Sequence, residues 1–199
     1  MSRTSEDACF RNFTEEVVER TMASVFAADA SLCSCKRCQN DIRALALNAL
    51  TPQYYVSERS RMLARMIEAP SETETAESVN AAVRRVKAIP RHSDAADSEA
   101  ALINYSEEMV WRVIHDVVTE RKDICSCPQC LTDTAAITLN DMRPRYHSTL
   151  KGRSYSKLDE LDQKFYAECW VTVFHALTKV STQPHHNREK SDQTGTETL

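Results

Sequence analysis

Three cysteines within six residues occur twice in this sequence, each time with the spacing Cys-x-Cys-x-x-Cys. The two groups are Cys33, Cys35, Cys38 and Cys125, Cys127, Cys130. A helical pattern follows each group directly, so the thiols lie at the predicted start of a helix. Thiolates bind zinc at about 2.3 Å in tetrahedral sites, and a helix N-terminus stabilises their negative charge. The pattern therefore favours one zinc ion in each group.

Other chemistry is compatible with the same thiols. Free or redox-active cysteines remain an alternative, as does an iron–sulfur centre. Disulfides would leave one odd thiol in each group and would need an oxidising compartment. Metal binding is the preferred interpretation because the group of three is repeated.

Each group supplies three ligands, so a fourth must come from elsewhere. His92 and His186 each lie two residues after a proline that closes a helical region, and they preserve the repeat. We therefore predict two Cys3His zinc sites. The alternatives are Cys9 for the first group and Cys169 for the second. Cys169 lies on an apolar helical stripe, where a small buried hydrophobe is the simpler interpretation.

The cysteine groups belong to a longer internal duplication. An offset of 92 residues without a gap carries the first group onto the second, and it also superposes Asn12 on Asn104, Pro52 on Pro144 and Tyr54 on Tyr146. We infer two tandem modules, at residues 10–92 and 102–186. Residues 93–101 read as a linker, and residues 187–199 as a disordered tail.

The composition points to an all-α protein. Only two glycines occur, and no Asn-Gly turn is present, whereas hairpins usually need such turns. Each module is predicted to contain three helices, the first capped by Asn12 or Thr14 in module one and by Asn104 in module two. Pro70, followed by a capping box at Ser71 and Glu74, predicts that the third helix of module one is interrupted. The apolar stripe from Leu158 to Val180 predicts a long, continuous third helix in module two.

The charge and hydropathy exclude several classes of partner. A net charge of −4 provides no global field for nucleic acid or for an anionic membrane. There is no apolar run of 18 residues and no apolar segment near the N-terminus that resembles a secretory signal. The expectation is a cytoplasmic protein that does not insert into membranes.

Several motifs together resemble the ComFB family of late competence proteins. They are the cysteine group, the helix pattern Asp-x-x-Ala-x-x-Leu-Asn from Asp41 and Asp133, the following Pro-x-Tyr, and the closing Pro-x-His. The resemblance implies small helical, zinc-binding modules that pair as homodimers, and it implies that some members are receptors for cyclic dinucleotides, notably cyclic di-GMP, in competence and motility. Two copies in one chain suggest an intramolecular pseudo-dimer, which leaves room for further homodimerisation through another surface.

A local basic and aromatic stretch gives this resemblance a candidate ligand site. Arginine pairs with phosphate or guanine, and tyrosine stacks on purines. The predicted ligand contacts in module two are Arg145, Tyr146, Lys151, Arg153, Tyr155 and Lys157. Module one adds the weaker set Tyr54, Arg59 and Arg61. The simpler alternative is a solvated start of a helix.

The leading functional hypothesis is a non-enzymatic receptor for a cyclic dinucleotide that signals to a protein partner. A zinc-stabilised protein-interaction module without nucleotide binding is the second hypothesis, and a thiol redox sensor is the third. The sequence shows no Walker loop, nucleophile–base pair or paired-carboxylate site, so no enzymatic activity is expected.

Overall fold

The structure is a computed structural model, and it describes residues 10–67, 70–91, 100–121, 123–149 and 160–184. These residues form seven helices and four short strands. The helices are α1 (Phe13–Ala28), α2 (Lys36–Leu47), α3 (Glu58–Ile67), α4 (Glu72–Ala88), α5 (Tyr105–Glu120), α6 (Pro128–Asp141) and α7 (Glu160–Thr182). The strands are β1 (Arg11–Asn12), β2 (Tyr54–Tyr55), β3 (Ala100–Asn104) and β4 (Tyr146–Thr149). The predicted all-α class is confirmed, apart from the small strands.

The first helix of each module begins at the predicted asparagine. The Asn12 side chain accepts a hydrogen bond from the Thr14 backbone N–H at 3.1 Å, and Asn104 accepts one from the Glu107 N–H at 3.4 Å. An N-cap side chain satisfies one of the helix's unpaired N–H groups, which is why asparagine is favoured there. The α1 and α5 boundaries are themselves 92 residues apart.

The third helical region differs between the modules as predicted. In module one α3 ends at Ile67, and α4 begins at Glu72 after Pro70. The Ser71 hydroxyl accepts the Glu74 N–H at 3.0 Å and caps α4. In module two α7 runs for 23 residues without interruption. Its buried residues Cys169, Val173, Ala176 and Val180 lie 94 positions after Thr75, Val79, Ala82 and Val86 of α4. Module two therefore has two more residues before these positions than module one has. Leu158, at which the predicted apolar stripe begins, lies outside the described residues.

The short strands extend the repeat in a way that the sequence did not predict. β1 pairs antiparallel with β2, joining Arg11 to Tyr55 and Asn12 to Tyr54. β3 pairs with β4 through the equivalent residues, Ile103 with His147 and Asn104 with Tyr146. Ala100 and Ala101, assigned to the linker by sequence, are part of β3. The remainder of the predicted linker, residues 93–99, and the predicted tail, residues 187–199, lie outside the described residues.

The two modules pack against each other through exchanged tyrosines. Tyr54 of module one lies in the hydrophobic core of module two, and Tyr146 of module two lies in the core of module one. Asn48 at the end of α2 clasps the Tyr146 backbone, accepting its N–H at 2.6 Å and donating to its carbonyl at 2.9 Å. Asn140 makes the same two bonds with the Tyr54 backbone, accepting its N–H at 2.6 Å and donating to its carbonyl at 3.1 Å. The contacts are reciprocal, as expected of a pseudo-twofold pair.

Candidate functional site

Each cysteine group is built around the start of a helix. Cys35 is the N-cap of α2, and its sulfur accepts the Cys38 backbone N–H at 3.4 Å. Cys127 caps α6 in the same way, also at 3.4 Å. Within each group the three sulfur atoms lie within 4.8 Å of one another. The local sequence thus brings three soft ligands to one point at the positive end of a helix dipole.

The thiols of each group differ in how readily they lose a proton. Burial, together with hydrogen bonds to Cys35 and Cys33, raises the pKa of Cys38 to about 12. Burial also raises the pKa of Cys130. Burial also acts to raise the pKa of Cys127. Hydrogen bonds to its sulfur, of which the one from the Cys130 N–H has the largest effect, outweigh burial and lower this pKa. A metal ion that binds here must displace the protons of the buried thiols, so its affinity should rise with pH.

No fourth ligand joins either group within the part of the chain that the structure describes. His92, His186 and Cys9 lie outside the described residues. Cys169 is fully buried in the core of module two, packed with Phe165 and Val173, and burial raises the pKa of its thiol to about 12. It acts as a small hydrophobic side chain rather than as a ligand, in line with the simpler interpretation of the sequence.

Two tyrosines of the predicted ligand set, Tyr54 and Tyr146, are almost fully buried between the modules. Tyr54 is 6% exposed and Tyr146 is 4% exposed. Both residues lie between the modules, and Tyr146 also contributes to the lining of a cleft there. Burial also raises the pKa of both hydroxyls, which keeps them protonated as hydrogen-bond donors.

The two tyrosine hydroxyls are part of a polar cluster between the modules. Tyr54 donates to the Glu107 carboxylate at 2.6 Å and accepts from the Asn104 amide at 2.7 Å. Tyr146 donates to the Glu15 carboxylate at 2.5 Å and accepts from the Asn12 amide at 3.1 Å. We call these six residues the tyrosine–glutamate cluster. Each glutamate reaches across to the tyrosine of the other module.

The arginines of the predicted ligand set are dispersed. Arg61 pairs with Glu16 at 2.7 Å and lies over the Tyr55 ring, with 5.9 Å between its guanidinium carbon and the ring centre. Arg145 stacks on the Phe165 ring, with 3.7 Å between its guanidinium carbon and the ring centre. Arg59 is exposed on α3. The remaining predicted contacts, Lys151, Arg153, Tyr155 and Lys157, lie outside the described residues.

A cleft between the modules has a composition that suits an anionic ligand. It has a volume of about 290 Å³ and lies between α2 and α4 of module one and β4 of module two. We call it the α4–β4 cleft. Its polar lining includes Asp41, Arg85, Arg91, His147, Ser148 and Thr149. The volume is near the lower end of the roughly 300–1,000 Å³ that is typical of small-molecule pockets.

The electrostatics of the α4–β4 cleft are locally positive in a chain of net negative charge. Arg85 and Arg91 are both exposed, and neither forms an ion pair with another described residue. Burial and the nearby Arg145 charge lower the pKa of His147, so its imidazole is neutral at pH 7. The one carboxylate in the lining, Asp41, has the Arg37 guanidinium 3.8 Å away. Two arginines and the nearby Ser148 hydroxyl thus form a lining that suits a phosphate.

Sequence reasoning missed the arginines of this cleft. Arg85 lies on the polar side of α4, and Arg91 follows the closing proline, where both resemble ordinary solvated charges. Only the packing of β4 against the α2 helix of the other module brings them to a shared opening.

The chain is similar to known proteins in both halves. The family model described as late competence development protein ComFB matches residues 11–90 and 103–184. Among solved structures, the chain is similar to the late competence protein ComFB from Bacillus subtilis, with 26% sequence identity and a TM-score of 0.36. That match covers 49% of this chain and 100% of the other chain. A comparison with curated proteins found no match. None of the described helices combines the length and hydrophobicity needed to cross a bilayer.

Proposed function

Because the chain belongs to the ComFB family of late competence development proteins, we propose that it is a non-enzymatic regulatory protein. In this proposal two structural zinc ions stabilise a fused pair of modules, and the pair binds a cyclic dinucleotide and signals to a protein partner. The observation that carries the metal assignment is the repeated convergence of three thiols within 4.8 Å. The ligand assignment is supported by the positive α4–β4 cleft.

The thiol geometry fits zinc. A tetrahedral ion with Zn–S bonds of about 2.3 Å separates its sulfur ligands by roughly 3.8 Å, so the three thiols need only a small adjustment to bind it. The donor set also favours zinc, because thiolates are soft ligands. When bound, the ion would supply a cross-link between the loop that carries Cys33 or Cys125 and the helix that follows. His92 and His186 are the predicted fourth ligands.

Metal analysis of protein purified under reducing conditions tests this assignment. We expect two zinc ions per chain, and one after Cys35→Ser or Cys127→Ser. Each variant should also unfold at a lower temperature, because metal binding and folding are coupled in small sites. Cys169→Ala is the matched control: it removes a thiol from the core, and it should leave two zinc ions. A wild-type content of one or none would contradict the proposal.

The cyclic dinucleotide assignment has chemical support in the intermodule surface. Such a ligand carries two phosphates and two purines, and so it needs cations and apolar surface together. The α4–β4 cleft supplies Arg85 and Arg91, with Ile89, which is 72% exposed, beside them. Arginine is well suited to this task because its planar fork pairs with phosphate and stacks on bases.

Calorimetric titration of the zinc-loaded chain with cyclic di-GMP and cyclic di-AMP tests ligand binding. We expect saturable binding of at least one, with GMP as the matched control that lacks the second nucleotide. Heats that do not exceed the dilution control for either cyclic dinucleotide would overturn this part of the proposal.

One observation favours the alternative of a protein-interaction module. Three apolar residues of α3 are exposed to solvent: Met62 is 65% exposed, Leu63 is 49% exposed and Met66 is 79% exposed. Exposed apolar side chains grouped on one helix are typical of a surface that a partner covers. If no cyclic dinucleotide binds and the zinc ions are present, this function becomes the better explanation. Protein without zinc whose thiols undergo reversible oxidation would instead favour a redox sensor.

A further inference from the structure

We propose that the chain binds a single cyclic dinucleotide, in the α4–β4 cleft, and that the pseudo-equivalent cleft of the other module has lost this capacity. The inference rests on the proposed function and adds to it the place, the stoichiometry and the asymmetry of the site. A pair of identical modules would present two equivalent clefts. The duplication in this chain has diverged at the positions that line them.

The counterpart of the α4–β4 cleft is defined by the repeat. Residues of α2 and β4 have counterparts in α6 and β2 at an offset of 92, whereas residues of α4 have counterparts in α7 at an offset of 94. The counterpart cleft therefore lies between α6, α7 and β2. Its framework is kept, because Asp133 and Asn140 correspond to Asp41 and Asn48.

The differences occur on both walls. On the helix wall, Lys179 replaces Arg85 and Gln183 replaces Ile89. Lysine carries the same charge as arginine, but it lacks the planar fork that binds phosphate with two parallel hydrogen bonds. The exchange of Ile89 also removes apolar surface against which a base packs.

The strand wall has changed further. Val56 replaces Ser148, which removes a hydroxyl donor. Tyr55 replaces His147, but Tyr55 is only 2% exposed and its hydroxyl donates to the Glu16 carboxylate. Glu16 is in turn paired with Arg61. The groups on this wall are therefore apolar or already bonded within module one, and they have little to offer a phosphate.

The neighbouring charges reinforce this difference. Arg85 and Arg91 of the α4–β4 cleft have no ion-pair partner among the described residues, so their charges are available without breaking an existing contact. Both are exposed, and replacing them removes no buried side chain. Variants at these positions should keep the fold, which makes the site directly testable.

Isothermal calorimetry with cyclic di-GMP on the full, zinc-loaded chain measures the stoichiometry. We expect one ligand per chain. Arg85→Ala and Arg91→Ala should each lower the affinity about ten- to hundredfold, because each removes a charge-assisted contact. Lys179→Ala, at the counterpart of Arg85, is the matched control and should stay within about twofold of the wild type.

A second variant transfers a residue between the clefts. Ser148→Val installs the residue found at the counterpart position and should weaken binding several-fold at unchanged thermal stability. Two ligands per chain, or an equal loss from Lys179→Ala and Arg85→Ala, would overturn this inference and leave the proposed function intact. Wild-type affinity in both arginine variants would also overturn it. Absence of binding by the wild type would overturn both.

Discussion

At the scale of single residues, the tyrosine–glutamate cluster specifies how the modules pair. It places two carboxylates, two hydroxyls and two amides in the interface, and each carboxylate is bonded by the tyrosine of the other module. A buried polar network is stable only when its members are satisfied, so a shifted register would leave unpaired groups. The cluster therefore selects one arrangement of the two modules.

Removing one hydroxyl from this cluster should be costly. Tyr146→Phe leaves the Glu15 carboxylate without its tyrosine donor. Tyr54→Phe removes the tyrosine donor of Glu107, which keeps the Asn104 amide at 3.0 Å. Each variant should lose about 1–3 kcal/mol of unfolding free energy, the usual penalty for an unsatisfied buried polar group. Denaturant unfolding at neutral pH measures it.

The matched control is Tyr166→Phe, since Tyr166 lies on α7 and is 36% exposed. This variant should change the unfolding free energy by less than about 0.5 kcal/mol. Equal stability of the wild type and the Tyr146 variant would show that the cluster contributes nothing to pairing.

The two adjacent glutamates of α1 should affect the pH dependence of stability in opposite directions. Burial raises the pKa of Glu15 above 4.5, so the folded state holds this proton more tightly than the unfolded state. The stability that this carboxyl contributes is full below pH 4.5 and is lost as the pH rises through the raised pKa. Glu15→Gln should therefore lose less stability than the wild type between pH 4 and pH 7.

Glu16 supplies the opposite case. Burial acts to raise its pKa, but hydrogen bonds from Arg61 and Tyr55 outweigh it and lower the pKa. Its contribution is present above pH 4.5 and is lost as the pH falls through the lowered pKa. Glu16→Gln should be destabilising at pH 7 and less so near pH 3. Unfolding curves across this range for both variants decide the signs, and parallel behaviour of the two would contradict the assignment.

At the scale of elements, the described parts of the modules differ at the start of α4, because α7 continues through the positions at which α3 and α4 are separated in module one. Proline lacks an N–H and clashes with the preceding turn, so Pro70 separates the two helices. The new start of α4 then needs its own cap, which Ser71 provides. The cap fixes the start of α4, which packs against α2 and carries Arg85.

Ser71→Ala should destabilise the chain by about 0.5–2 kcal/mol, because the Glu74 N–H loses its acceptor. Ser71→Asp is the matched control, since a carboxylate also caps a helix, and it should retain wild-type stability. Urea unfolding followed by circular dichroism measures both. Equal destabilisation by alanine and aspartate would show that a contact other than the cap is lost.

At the scale of the whole molecule, each core is completed by the other module. Tyr54 fills a position in the core of module two, and Tyr146 fills the equivalent position in module one. A module by itself would leave this position empty and its clasping asparagine unbonded. Duplication within one chain supplies the missing tyrosine at high effective concentration.

Module two expressed alone, as residues 102–186, should therefore form a dimer. In such a dimer the Tyr146 of each copy would take the place of Tyr54 in the other, with Asn140 clasping its backbone. Light scattering on the purified module measures the mass. Asn140→Ala in the same segment should weaken the dimer, whereas a stable monomer of the unmodified segment would contradict the pseudo-dimer.

Patterns in the sequence alone were enough to predict the duplication, several helix boundaries and the cysteine groups. The offset of 92 residues revealed the duplication, the Asn12 and Ser71 caps marked helix starts, and Pro70 marked the interruption of the third helix. The cysteine groups were recognisable from the short, repeated spacing of their three cysteines. The duplication follows from comparing the sequence with itself, and the other signals depend on residues a few positions apart, so none of them requires knowledge of the tertiary structure.

The tertiary structure alone decided the roles of the residues between the modules. Tyrosine is a residue type that often contacts ligands, but Tyr54 is buried in the core of module two and Tyr146 in the core of module one. The strand pairs and the α4–β4 cleft likewise join residues such as Asn48 and Tyr146, which are 98 positions apart. Periodicity reports which side of an element is apolar, but it carries no information about which distant surface that side meets.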